Sequence, residues 1–153
     1  MRIHIYRPGT STAITHPQVS PEVRLSEILQ INEEERIYRV GSEAEIDIEM
    51  TVLEIFGHES GHILVHDCEQ ITVTVEYSGK SASFKVHPST LVRVVLEKAI
   101  GKLGVEKGSS ADLALTSVAS NEELEVAKPI GSYIEKGACT ITLNLVHLRR
   151  DQG

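Results

Sequence analysis

The hydrophobic positions of this chain follow two periods, and each period occurs twice. Apolar and polar residues alternate at Ile3-His4-Ile5-Tyr6 and again at Val73-Thr74-Val75-Glu76, predicting two strands. Each strand runs into a turn, Pro8-Gly9 or Ser78-Gly79, whose glycine supplies the positive φ a tight turn needs. The second period is helical. Leu25, Ile28 and Leu29 follow Val19 and Pro21 as Val92, Val95 and Leu96 follow Val86 and Pro88, at a constant offset of 67 positions. Proline with an adjacent serine, Ser20 or Ser89, reads as a helix start, and Gly104 as a stop for the second helix, whose stripe is Val92, Val95, Leu96, Ala99 and Leu103.

A third block completes the repeat. Residues 42–66 align with 120–144 without a gap, at an offset of 78. Ile46 and Ile48 match Leu124 and Val126, Val52 and Ile55 match Ile130 and Tyr133, and Ile63 and Val65 match Ile141 and Leu143 in an alternating closing strand. The growth of the offset from 67 to 78 puts 11 extra residues in the second copy, around 102–110, and KLGVEKGSS reads as loop. Each half is therefore hairpin, helix, short strands and closing strand, an α+β unit with one mixed sheet packed on one main helix. The expected division is a first domain at 1–67, a second at 71–146 and a flexible tail at 147–153. A junction that short restricts the relative motion of the domains without rigidly fixing it.

Composition narrows the classes. With 153 residues, 41% hydrophobic and 24% charged, the chain has the make-up of a soluble globular protein. A net charge of −7 argues against the clustered Lys and Arg that phosphate binding needs, so no nucleic-acid partner is expected. No apolar run approaches the roughly 20 residues of a membrane helix, and MRIHIYRPG lacks a signal-peptide core, so no membrane partner and a cytoplasmic location are expected. Cys68 and Cys139 lie far apart and form no CxxC pair; both are expected to stay reduced, with no metal and no cofactor.

The second half, ITVTVEYSGKSASFKVHPSTLVRVVLEKAIGKLG, resembles the opening hairpin and helix of ubiquitin. In IGSYIEKGACTITLNLVHLRR, Tyr133 falls at the conserved tyrosine of that family, and Ile141, Leu143 and Leu145 follow the inward-facing leucines of its last strand. The first half resembles the family through the repeat. Two β-grasp domains in tandem are similar to the interferon-induced two-domain modifier and to its bacterial look-alikes in antiphage operons. The resemblance implies a non-enzymatic modifier, activated by an ATP-dependent activating enzyme, passed to a conjugating enzyme, joined to a target protein and removed by a deubiquitinase-like peptidase.

On that reading Gly153 is the conjugation residue, since a glycine carboxylate has no Cβ to obstruct a narrow channel. The eight residues from Val146 to Gly153 reach roughly 25 Å when extended. Leu148, Arg149, Arg150, Asp151 and Gln152 are the positions partner enzymes would read, with Arg149 and Arg150 suited to acidic partners. Ubiquitin ends in two glycines; here Gln152 replaces one, and Asp151 adds a charge, which calls for dedicated enzymes. At the outward sheet positions that readers of ubiquitin grip stand Ala114, Thr142 and Asn144, too polar for that role, so partner contact is expected at the interdomain face instead. The rival from another class is a noncovalent ubiquitin-like adaptor with an idle tail, and a third reading is a sulfur carrier.

His58-Glu59-Ser60-Gly61-His62, with His66 beyond it, matches the zinc-protease pattern HExxH. That chemistry needs a helix to set two imidazoles on one face of the metal. Gly57 and Gly61 oppose a helix, Ile63-Leu64-Val65 prefers a strand, and residues 58–61 align with the turn at 136–139. His58 and His62 are therefore expected in a turn and at a strand edge, with His66 pointing outward from the strand. The acidic run Glu33-Glu34-Glu35 reads as a solvated loop.

Overall fold

The structure is a computed structural model and describes residues 1–105 and 112–148, with Ser11 described by its backbone alone. It holds two four-stranded mixed sheets of the same topology. In the first, β1 (Ile3–Arg7), β2 (Thr10–His16), β3 (Arg36–Arg39) and β4 (Gly61–His66) lie in the order β2-β1-β4-β3. In the second, β5 (Ile71–Tyr77), β6 (Lys80–Val86), β7 (Leu113–Ser117) and β8 (Thr140–His147) lie in the order β6-β5-β8-β7. Each sheet joins an antiparallel hairpin to a central parallel pair, β1 with β4 and β5 with β8, and ends on an antiparallel edge. With a helix packed in each half, the chain is two β-grasp domains in tandem.

The offsets found in the sequence recur as hydrogen-bonded geometry. Arg24 bridges Thr51 as Leu91 bridges Pro129, and Tyr38 bridges Glu45 as Thr116 bridges Glu123. Both hairpin turns carry the expected positive φ, +79° at Gly9 and +81° at Gly79. One register differs. Ile5 faces Ile63, whereas the repeat alone would set it opposite Val65, the counterpart of the Val75 and Leu143 pair. A slip of this even kind keeps every side chain on its own face. Ile3, Ile5, Ile63 and Val65 form one core, and Val73, Val75, Leu143 and Leu145 form the other.

The expected first helix is the main local correction. In its place stands a 3₁₀ turn, Leu25–Glu27, while the only α-helix of the first half among the described residues is α1 (Val52–Phe56), capped by Thr51. Both candidate helices start alike: the Leu25 and Ser26 amides bond to the carbonyls of Met50 and Ile48, as those of Val92 and Arg93 bond to Lys128 and Val126. They diverge after a single turn. The buried Ala99 and Leu103 of α2 (Val92–Leu103) correspond to Asn32 and Arg36, so the apolar stripe of the first copy stops. The Asn32 side chain accepts from the Glu34 and Glu35 amides, a local turn that competes with the helix ladder. The expected loop at 102–110 also begins later. Lys102 and Leu103 belong to α2, which ends on Gly104 at φ +68°. Residues 106–110 of that stretch lie outside the described residues.

The domains pack directly on one another. Ile63-Leu64-Val65 is buried on both faces: Leu64 is absent from the first core but fully buried, as the outward Tyr6 and Tyr38 are nearly so. The 3₁₀ turn Ile130–Tyr133 of the second domain contacts β1, β2 and β4. Gly131 is the point of closest approach. A Cβ there would stand 2.8 Å from the His66 ring and 2.8 Å from the Pro88 carbonyl oxygen. The Gly41 amide donates to Ser89 O at 2.8 Å, the Ser89 hydroxyl donates to Ser42 O, and Tyr38 meets His87 edge-on at 4.4 Å. The junction is thus tied more tightly than its length alone predicts.

Candidate functional site: the closing strand and the domain junction

Strand β8 carries the expected conjugating end. Its inward residues Leu143 and Leu145 are buried in the second core, which fixes the strand. The strand runs through His147, so the first residue assigned to the tail is still sheet. At its exit the Tyr77 hydroxyl and His147 Nε2 lie 2.7 Å apart, and the Leu148 amide donates to Asp112 O at 2.6 Å. Leu148 is the last described residue. Arg149, Arg150, Asp151, Gln152 and Gly153 lie outside the described residues.

Tyr133 closes the 3₁₀ turn Ile130–Tyr133. Its hydroxyl accepts the Glu125 amide proton at 2.9 Å, tying the 3₁₀ turn to the loop before it. Burial is the main cause that raises its pKa. The outward face of the second sheet is polar: Thr142 is exposed, Asn144 half-buried, and Ala114 nearly buried beside Val146. The corresponding face of the first sheet is covered by the second domain around Tyr6, Tyr38, Leu64 and His66, while Arg36 and His62 stay exposed. Of the interdomain face expected to meet partners, the part that carries Leu64 and His66 is buried in this packing.

The HExxH residues do not converge. The helix α1 ends at Phe56, His58 lies in the following turn, and His62 lies in β4, stacked on His4 with ring centroids 4.5 Å apart. Burial, then the neighbouring His4, lowers the His62 pKa. His66 points outward from the first sheet as expected, yet it is 1% exposed because the second domain covers it. Its Nδ1 accepts the Cys68 amide proton at 3.0 Å, which leaves the ring proton on Nε2, donated to Gly131 O at 3.1 Å. Burial lowers its pKa, with Asp67 and the Gly131 carbonyl acting in the opposite sense, and the neutral ring suits both bonds.

The cysteines are the second correction. Cys68 and Cys139 form a disulfide with Cα atoms 5.8 Å apart, and no free cysteine remains. They were expected to stay reduced because 71 residues separate them and no CxxC signals a pair. The fold closes that distance, since β4 ends at the junction where parallel β8 begins. The run Ile63-Leu64-Val65 is that of a strand buried on both faces, but it names neither cysteine nor what covers the strand.

A family model described as BilA ubiquitin-like domain 2 matches residues 72–148. Among curated proteins none matches. Among solved structures, one similar chain is a de novo design based on ubiquitin, at 18% identity and a TM-score of 0.43, covering 56% of this chain and 96% of its own. No helix among the described residues is long and apolar enough to cross a membrane.

Proposed function

Since this chain belongs to the family described as BilA ubiquitin-like domain 2, we propose that it is a non-enzymatic protein modifier, joined through the Gly153 carboxylate to an amine of a target protein. The observation that carries the reading is the extent of the family match: it takes in the second sheet from Thr72 onward and stops at Leu148, leaving the run Arg149-Arg150-Asp151-Gln152-Gly153 beyond it. The division proposed with it is a first domain at 1–67, a second at 71–146 and a tail from 147.

A carboxylate is a poor electrophile. In this reading an activating enzyme spends ATP to adenylate Gly153, a conjugating enzyme holds it as a thioester, and a lysine amine displaces the thiol. A deubiquitinase-like peptidase reverses the bond. The chain contributes a rigid handle and an unbranched end. Leu148, Arg149, Arg150, Asp151 and Gln152 are the residues those partners read, with the arginines facing acidic side chains. The proposed setting is antiphage defence in the bacterial cytoplasm.

The test is conjugation in the presence of the cognate enzymes and ATP. The full chain forms covalent adducts, and the variant lacking Gly153 forms none while keeping its fold. Adducts that persist without Gly153 would sink the proposal. Function that tolerates loss of the whole tail would support the noncovalent adaptor instead.

A further inference from the structure

The disulfide lies against two other metal-ligating side chains. His66 Nδ1, an Asp67 carboxylate oxygen and Cys68 Sγ all lie within 4.8 Å of one another. His66 Nδ1 is 3.6 Å from Asp67 Oδ1, and Cys68 Sγ is 3.9 Å from the same oxygen. A tetrahedral zinc, with Zn–S near 2.3 Å and Zn–N or Zn–O near 2.0–2.2 Å, spaces its ligand atoms by roughly 3.3–3.8 Å. Two of the required separations are therefore already close to those values. Cys139 brings the fourth atom, bonded to Cys68 in the oxidised chain.

We propose that the reduced chain binds one zinc ion at the domain junction through Cys68, Cys139, His66 Nδ1 and the Asp67 carboxylate. The histidine is set for this. Its proton is held on Nε2 by the Gly131 carbonyl of the second domain, which leaves the Nδ1 lone pair facing Asp67 and Cys68. A backbone carbonyl on the far nitrogen is the usual support of a zinc-bound imidazole. The zinc takes the place of the Cys68 N–H at that lone pair. Cys68 and His66 are buried, whereas Asp67 and Cys139 are exposed and give the ion a path of entry.

The oxidised form holds no thiolate, so reduction comes first. A dithiol reductant attacks the exposed Cys139 sulfur, the S–S bond breaks, and Cys68 leaves as thiolate. The second thiol of the reductant then closes its own disulfide, so two electrons pass to the bridge. The Cys139 sulfur must next separate from Cys68 to roughly 3.8 Å to share one zinc, a rotation its exposed position permits. Zinc displaces the remaining thiol protons to solvent. Either state, bridge or metal, fastens the end of β4 to the start of β8, so the junction stays closed in oxidising and reducing surroundings alike.

The experiment uses the full chain with Zn²⁺, and Co²⁺ as a spectroscopic probe. The reduced chain should bind one equivalent and show both thiolate-to-cobalt charge transfer and the intense visible bands of tetrahedral Co²⁺. The oxidised chain should show neither. C139S should lose this binding, and D67N, at an exposed position, should weaken it by removing one of the four ligands. Amide NMR dispersion checks that each variant and the reduced chain stay folded. The stacked His4 and His62 offer a rival site, but one without thiolate charge transfer. Binding that ignores oxidation, survives C139S or lacks the thiolate band overturns the proposal. So does a reduced chain that unfolds and is not restored by zinc.

Discussion

Single residues here are held by specific partners rather than by burial alone. Tyr133 packs at the edge of the second core while its hydroxyl takes the Glu125 amide proton. Tyr133→Phe keeps the ring and removes that acceptor, so urea denaturation should show a loss of about 0.5–1.5 kcal/mol. The histidines set a pH dependence. His62 and His87 both have folded pKa values below the ordinary 6.5, burial being the first cause, with His4 adding at His62 and Glu43 opposing at His87. The unfolded chain therefore binds more protons as pH falls. The stability they influence is unaffected well above pH 6.5 and declines as pH drops from there towards the folded values. Denaturation midpoints should fall between pH 7.5 and 5, and His62→Gln should flatten that slope. A midpoint that rises on acidification would contradict this sign.

At the scale of elements, the short 3₁₀ turn Ile130–Tyr133 does more than close a loop. It is one of the segments of the second domain that meet the first sheet, and Gly131 lets it come close. Gly131→Ala would press a methyl group against a backbone oxygen as well as the His66 ring, and backbone does not swing aside. A loss of about 1–3 kcal/mol is expected, with chemical-shift changes at His66 and Leu64 of the other domain. Shifts confined to residues 129–134 would argue against the contact.

The elements also show what a sequence gives away. The strands, the glycine turns and the offsets of 67 and 78 were legible because buried strands repeat their side-chain pattern, and the four isolated bridges reproduce them. The helix after Pro21 was misread because Leu25, Ile28 and Leu29 have helical spacing for one turn, while Asn32 diverts the backbone at the next. The disulfide and the burial of His66 were not legible, since both arise where β4, β8 and the 3₁₀ turn meet. Of the conjugating end, only Leu148 falls within the described residues, and its role stays with the proposal.

The whole molecule is two similar domains put to different uses. Part of the outward face of the first sheet, with Tyr6, Tyr38, Leu64 and His66, holds the second domain. The second sheet keeps a polar outward face, and β8, running parallel to β5, ends beside Tyr77 at the end of the domain remote from the junction. The described end of β8 therefore lies away from the junction with the first domain, and on the proposed function that is the end enzymes would grip. The most direct measurement is peptide mass spectrometry of adducts from cells carrying the chain with its partner enzymes. Trypsin cuts after Arg150, so a conjugated target should yield a lysine branched with Asp151-Gln152-Gly153. Target lysines that carry no such remnant, in cells where the chain carries out its function, would contradict the account.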